Sequence, residues 1–164
     1  MDKYYYFVAQ LPFLTFDEPS SIDQGQFLAE AKKWLSNKDF SILAQVSIND
    51  FYSKDQDPEV LKTYKDFELA LREALASLRK LNTNQELKLS AGLSLNLAEG
   101  NPLEAEVKLL SLRWQFIENL ESGHIFDLEA LILYFLKLQI LRRLFTFNKE
   151  AGTAVFDKLS EVLS

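Results

Sequence analysis

The sequence predicts an all-α protein, a multi-helix bundle, and three observations carry that prediction. Long segments place apolar residues three and four positions apart, the period of one helix face. Their starts are marked by proline and acidic residues, while Gly and Pro are otherwise scarce, at five and four in 164 residues. The greasiest stretch, "DLEALILYFLKLQILRRLFTF" at 127–147, is apolar on nearly every side yet carries charge, which suits a helix enclosed by other helices.

In chain order, the opening "YYYFV" at 4–8 is aromatic enough for a strand. "QFLAEAKKWL" and "NKDFSILAQV" read as two short helices split at Ser36, whose hydroxyl can cap the second, with Asp39 three residues on. "DPEVLKTYKDFELALREALASLRKL" opens with Asp57 as N-cap, Pro58 at the first helical position and Glu59 in the first turn. Val60, Tyr64, Phe67, Leu71, Leu75 and Leu78 form its apolar stripe, and Glu68 and Arg72 pair on the outside at i,i+4.

"ELKLSAGLSLNLA" alternates Leu87, Leu89, Ala91, Leu93, Leu95 and Leu97 with polar or small residues, a strand period. A small two-stranded element from residues 4–8 and 86–97 is one reading of the pattern, and irregular or short helical structure in the two segments is the other. "NPLEAEVKLLSLRWQFIENLESG" repeats the helix-start device with Asn101, Pro102 and Glu104. Its stripe runs Leu103, Val107, Leu110, Trp114 and Ile117, which makes Trp114 a core residue, leaves Arg113 pointing elsewhere toward solvent, and ends at Gly123.

The greasy stretch follows, with Asp127 as its cap. A bilayer span needs about 20 apolar residues; here the longest run is Ala130 to Leu136, bounded by Glu129 and Lys137, with Gln139, Arg142 and Arg143 close behind. Membrane insertion is excluded on this reading. Leu131, Phe135, Leu138 and Leu141 belong in the core, Lys137 and Arg142 snorkel so that their charges stay in water, and Arg142 and Arg143 suit the negative end of the helix dipole. A last short helix around "GTAVFDKLSEVL" puts Val155, Phe156, Leu159 and Leu163 on one side. With no linker rich in Gly, Pro or Ser, residues 1–164 read as a single helical domain.

The chemistry offered by the residue types is narrow. There is no cysteine, so no disulfide, thiolate metal site or thiol nucleophile. The start has no signal-peptide order, which places the protein in the cytoplasm. A net charge of −6 argues against a nucleic-acid partner. The single histidine, His124, follows Glu121 by three residues, the Glu-x-x-His spacing of di-iron bundles, but such a site requires a second pair. Gly123 ends the helix before His124, which leaves a loop histidine beside a cap. Neither a nucleophile elbow nor a glycine-rich phosphate loop occurs. No cofactor, metal or catalytic residue is expected, and the chain reads as a non-enzyme.

"LRWQFIENLESGHIFDLEALILYFLKLQILRR", followed by "FNKEAGTAVFDKL" and preceded by "NPLEAE" and "YYYFVAQLPFLTFDE", resembles a family of small bacterial proteins associated with V-type ATPase gene clusters. The helical pattern is also loosely similar to the all-helical cap of V/A-type ATPases, which couples the central stalk to the membrane rotor. Carried over by position, the motif residues are Arg113, Trp114, Phe126, Asp127, Tyr134, Lys137, Leu138, Arg142 and Gly152. The resemblance implies an accessory or central-stalk-like subunit acting by contacts with other V-type ATPase subunits, peripheral at the inner membrane through the complex. Arg113, Lys137, Arg142 and Arg143 are the candidate partner-binding residues. The chain is shorter than a full stalk cap, so a complete funnel is not expected. The reading from another class is a cytoplasmic enzyme or small-ligand-binding helical domain, which a buried pocket of converging polar groups would favour.

Overall fold

The structure, a computed structural model, describes residues 4–81, 86–88, 94–96 and 102–151, with side chains described for 4–77 and 103–146. The described residues form six helices in this order: α1 Tyr5–Gln10, α2 Gln24–Trp34, α3 Asn37–Ala44, α4 Glu59–Leu81, α5 Pro102–Leu120 and α6 Leu128–Ala151. Between α4 and α5 lies a short antiparallel ladder, β1 Glu86–Lys88 with β2 Ser94–Asn96, pairing Leu87 with Leu95. The all-α class expected from the periodicity is the architecture observed.

The ladder decides between the two readings of residues 4–8 and 86–97, against their pairing with each other and for a short helix at the start. Residues 4–8 do not pair with the 86–97 segment, because α1 occupies them. Burial there has the helical period: Tyr4 and Phe7 are buried, whereas Tyr6 between them is exposed, and a strand would have put Tyr4 and Tyr6 on one face. Both paired strands instead come from within 86–97.

Helix α6 is the centre. Leu131, Ile132, Leu133, Leu136 and Ile140 are fully buried, which no single helix face could account for, and α6 packs on α2, α3, α4 and α5. Leu131, Phe135, Leu138 and Leu141 all lie in the main hydrophobic cluster, as the spacing predicts. Among the described residues no helix is long and apolar enough to cross a membrane. Phe27 of α2 stacks on Phe7, Tyr134 and Phe135, tying α1 and α2 onto α6. A satellite cluster of Phe67, Leu71, Leu109 and Leu112 joins α4 to α5, with the Phe67 and Phe116 rings stacked 4.0 Å apart.

Helix ends follow local chemistry. Ser36 caps α3 by accepting from the Asp39 N–H, and Asp127 caps α6 through the Ala130 N–H at 2.8 Å. Asp23 and Gln26 form a reciprocal capping box at the start of α2. Gly123, at φ +84°, makes the turn after α5.

Three expectations about ends and faces are corrected. Asp57 does not cap α4, which starts at Glu59; its carboxylate is taken up by the Lys54 N–H and the Lys65 ammonium. Glu68 does not lie outside, but is fully buried. Arg142 and Arg143 are not at a helix end, since α6 runs on to Ala151. Pro102 is the first residue of α5 as expected, while Asn101, the side chain of Leu78 and the helix expected around 152–163 lie outside the described residues.

Candidate functional site

Tyr64, Glu68 and Arg72 succeed one another at i,i+4 on α4, so they line one face of that helix. Where α5 crosses it, Arg113 meets them. Glu68, with no exposed surface, accepts from Arg113 Nε at 2.8 Å and Nη2 at 2.9 Å, and from Arg72 Nε at 3.1 Å. A charge that deep is tolerated only when it is paired and hydrogen-bonded. Burial by itself would lower the Arg113 pKa, but the hydrogen bonds and negative charge of Glu68 outweigh it and hold the guanidinium above the ordinary arginine value. Burial, and then Glu68, pushes the Tyr64 phenol well above its ordinary range. Tyr64 is thus a fixed hydroxyl donor, to the Ile48 carbonyl at 2.9 Å.

The loop after α3 is held against this face by side chains of two helices. Gln139 of α6 donates to the Val46 carbonyl at 2.8 Å and accepts from the Ile48 N–H at 2.9 Å, acting as a strand edge would. Arg72 Nη2 reaches the Asn49 carbonyl at 3.4 Å. Between loop and helices lies a cleft of about 300 Å³ lined by Ile48, Asn49, Arg72, Glu106, Arg113 and Arg143, floored by Leu75 and Leu109. Arg143 is paired there with Glu106, at 2.9 and 3.1 Å. Ile48, Asn49 and Arg143 also line an adjoining depression that contains Arg142, Gln24 and Gln139.

The four candidate cations therefore separate. Arg113, Arg142 and Arg143 come together around the Ile48–Asn49 loop, but Arg113 is not the solvent-facing residue expected from its neighbour Trp114; its side chain is 11% exposed. Lys137 lies elsewhere and is also corrected: it is 7% exposed. Its ammonium contacts Glu121 at 2.5 Å and Glu118 at 3.9 Å and stands 4.9 Å over the Trp114 ring. Arg142 keeps its exposed position. Arg72 and Glu68 belong to the site although their spacing gives no sign of it, because an i,i+4 acid and base on a helix read first as a solvated pair.

A second surface lies at the other side of α6. Phe13 is 92% exposed and Ile125 64%, and both line a groove of about 450 Å³ with Val8, Leu11 and Tyr134. The loop carrying Phe13 is fixed, since the Tyr134 hydroxyl donates to the Pro12 carbonyl at 2.6 Å. Near the groove, His124 Nδ1 lies 2.9 Å from Asp127 and 3.7 Å from Glu129. Burial would raise the Asp127 pKa, yet the His124 hydrogen bond and the Ala130 N–H bring it below the ordinary carboxylate value. Asp127 caps α6 with one carboxylate oxygen and meets His124 with the other.

Residues 92–164 match the model of a family described as a protein of unknown function (DUF2764). That span includes Arg113, Lys137, Arg142 and Arg143 and leaves out Tyr64, Glu68 and Arg72. No curated protein and no solved structure matches the chain.

Proposed function

We propose that this protein is a non-catalytic accessory subunit of a bacterial V-type ATPase, central-stalk-like, that acts by protein–protein contacts. The chain works in the cytoplasm and reaches the inner membrane only through the complex. Support comes from the resemblance of "NPLEAE" and the "LRWQFIENLESGHIFDLEALILYFLKLQILRR" stretch to the family associated with those gene clusters. The observation that carries the reading is the exposed apolar rim of Phe13 and Ile125 on the groove beside Tyr134. Large apolar side chains displayed together on a fixed surface gain roughly 25 cal/mol per Å² when a partner covers them.

Affinity purification of the tagged chain from native membranes tests the reading. Wild type is expected to bring down ATPase subunits in a stoichiometric, detergent-stable complex, and a Phe13→Ser, Ile125→Ser variant to lose them while melting normally. Absence of those subunits with wild type overturns it.

The second reading, a small-ligand-binding helical domain, is favoured by the convergence of Arg72, Arg113 and Arg143 on one cleft. Cleft and groove share no lining residue, so the two activities are separable.

A further inference from the structure

We infer that the arginine cleft is a binding site for a phosphate-type oxyanion, carried either as free phosphate or as a monoester on a small molecule. The inference does not depend on the partner-binding reading above.

Charge is the first ground. Arg72 and Arg113 share one carboxylate, Glu68, so two guanidiniums meet a single negative charge at the cleft wall. One positive charge is left over between them. Arg142, exposed and without an ion pair among the described residues, adds another in the adjoining depression, which shares Ile48, Asn49 and Arg143 with the cleft. Leu75 and Leu109 on the floor lower the local dielectric and strengthen the attraction felt by an anion that enters.

Donor capacity is the second ground. A guanidinium offers five N–H groups. Arg113 uses Nε and one Nη2 hydrogen on Glu68, and Arg72 uses Nε there and Nη2 on the Asn49 carbonyl, which leaves the Nη1 groups of both. The ion pairs with Glu68 also fix both planes, so ordering these donors costs little on binding. They come from α4 and α5, and Arg142 from α6, so they approach from different sides. A planar carboxylate is matched by one fork, whereas a tetrahedral oxyanion accepts from several directions at once. Glu106, the one acid lining the cleft, has its charge taken up by Arg143, and it can accept a hydrogen bond from a protonated phosphate oxygen.

Isothermal titration of the full chain tests the site, with inorganic phosphate and glycerol phosphate as separate ligands against sodium chloride at matched ionic strength. Saturable binding of either by wild type is expected, and preference for one identifies the source of the phosphate group. Arg72→Gln, which removes a half-exposed side chain, and Arg142→Gln, which removes an exposed one, are each expected to weaken binding about tenfold, the loss of one charge-assisted bond. Lys33→Gln, on the exposed face of α2, leaves it unchanged. Two results overturn the site: no saturable heat with either phosphate, or wild-type affinity in both arginine variants.

Discussion

Arg113 on α5 grips Glu68 on α4 with both prongs of its guanidinium, Nε to Oε2 at 2.8 Å and Nη2 to Oε1 at 2.9 Å. The carboxylate is sealed from water, and Arg72 completes its coordination from its own helix. Two cations therefore depend on one acid, and with Tyr64 they hold α4, α5 and the Ile48–Asn49 loop in register. Glu68→Gln keeps the shape and removes the charge, which leaves Arg113 unpaired in a site it cannot leave. Urea denaturation is expected to show a loss of about 3–5 kcal/mol, the cost of breaking a buried pair from one side. A loss below about 1 kcal/mol, the scale of exposed pairs, would mean that water reaches the network.

Lys137 and Arg142 are both on α6 and are expected to behave oppositely. Lys137→Gln removes a desolvated ammonium from Glu121 and from the Trp114 ring, at roughly 1–3 kcal/mol. Arg142→Gln changes stability by no more than about 0.5 kcal/mol, as surface substitutions do. Matched thermal melts of the two variants decide it; equal melting temperatures would place Lys137 in water.

These two residues also show what a sequence can carry. The amphipathic stripes of α4 and α5, the Ser36 and Asp127 caps and the central position of α6 depend on local spacing, and all are legible in it. Whether Glu68 is buried depends on which helix crosses α4 at that turn, and no local pattern contains Arg113, 45 residues away. Lys137 departs from expectation for the same reason: a lysine on an apolar helix snorkels by default, but the turn after α5 brings Glu121 to it. The expected Asp57 cap gives way because Lys65 and the Lys54 N–H compete for its carboxylate. The Tyr-rich start resembles a strand because β propensity records composition, and its helical burial period appears only once Tyr4 and Phe7 have a core to face.

Acid should weaken the fold through Asp57. Burial would raise its pKa, but the Lys65 ammonium and the Lys54 N–H together bring it below the ordinary 3.8. The folded state thus binds this proton more weakly than the unfolded chain. The stabilisation is complete above the unfolded pKa of 3.8 and is lost as pH falls through the lower, folded value. Asp127, shifted the same way by His124 and its capping bond, adds to the trend. Urea midpoints measured downward from about pH 6 are expected to drop on the acid side. Asp57→Asn should be less stable at neutral pH and show a shallower acid slope; an unchanged slope would remove Asp57 as the cause.

Gly123 supplies a backbone test free of packing. Its φ is +84°, and a Cβ built there would meet nothing within 4 Å. Gly123→Ala can only act through the left-handed conformation, which costs an L-residue roughly 1–2 kcal/mol. The variant should lose that much stability with its denaturant slope unchanged. A neutral result would mean that the turn relaxes to negative φ.

The central position of α6 makes a graded prediction for its leucines. Leu136 has no exposed surface and neighbours on every side, so Leu136→Ala leaves a closed cavity that the helices around it cannot collapse. Leu138 is nearly as buried but borders the depression it shares with Ile22, Leu141 and Phe145, where the loop at 19–23 can settle into the space. Both truncations fall within about 2–5 kcal/mol, Leu136→Ala toward the top and Leu138→Ala toward the bottom. Against a total of roughly 5–15 kcal/mol, the first brings the chain close to unfolding near room temperature. Chemical denaturation of the two variants side by side reads the difference. If Leu136→Ala melts like wild type, α6 is not enclosed; if the order is reversed, the loop at 19–23 is the rigid wall and the helices around Leu136 are the part that gives.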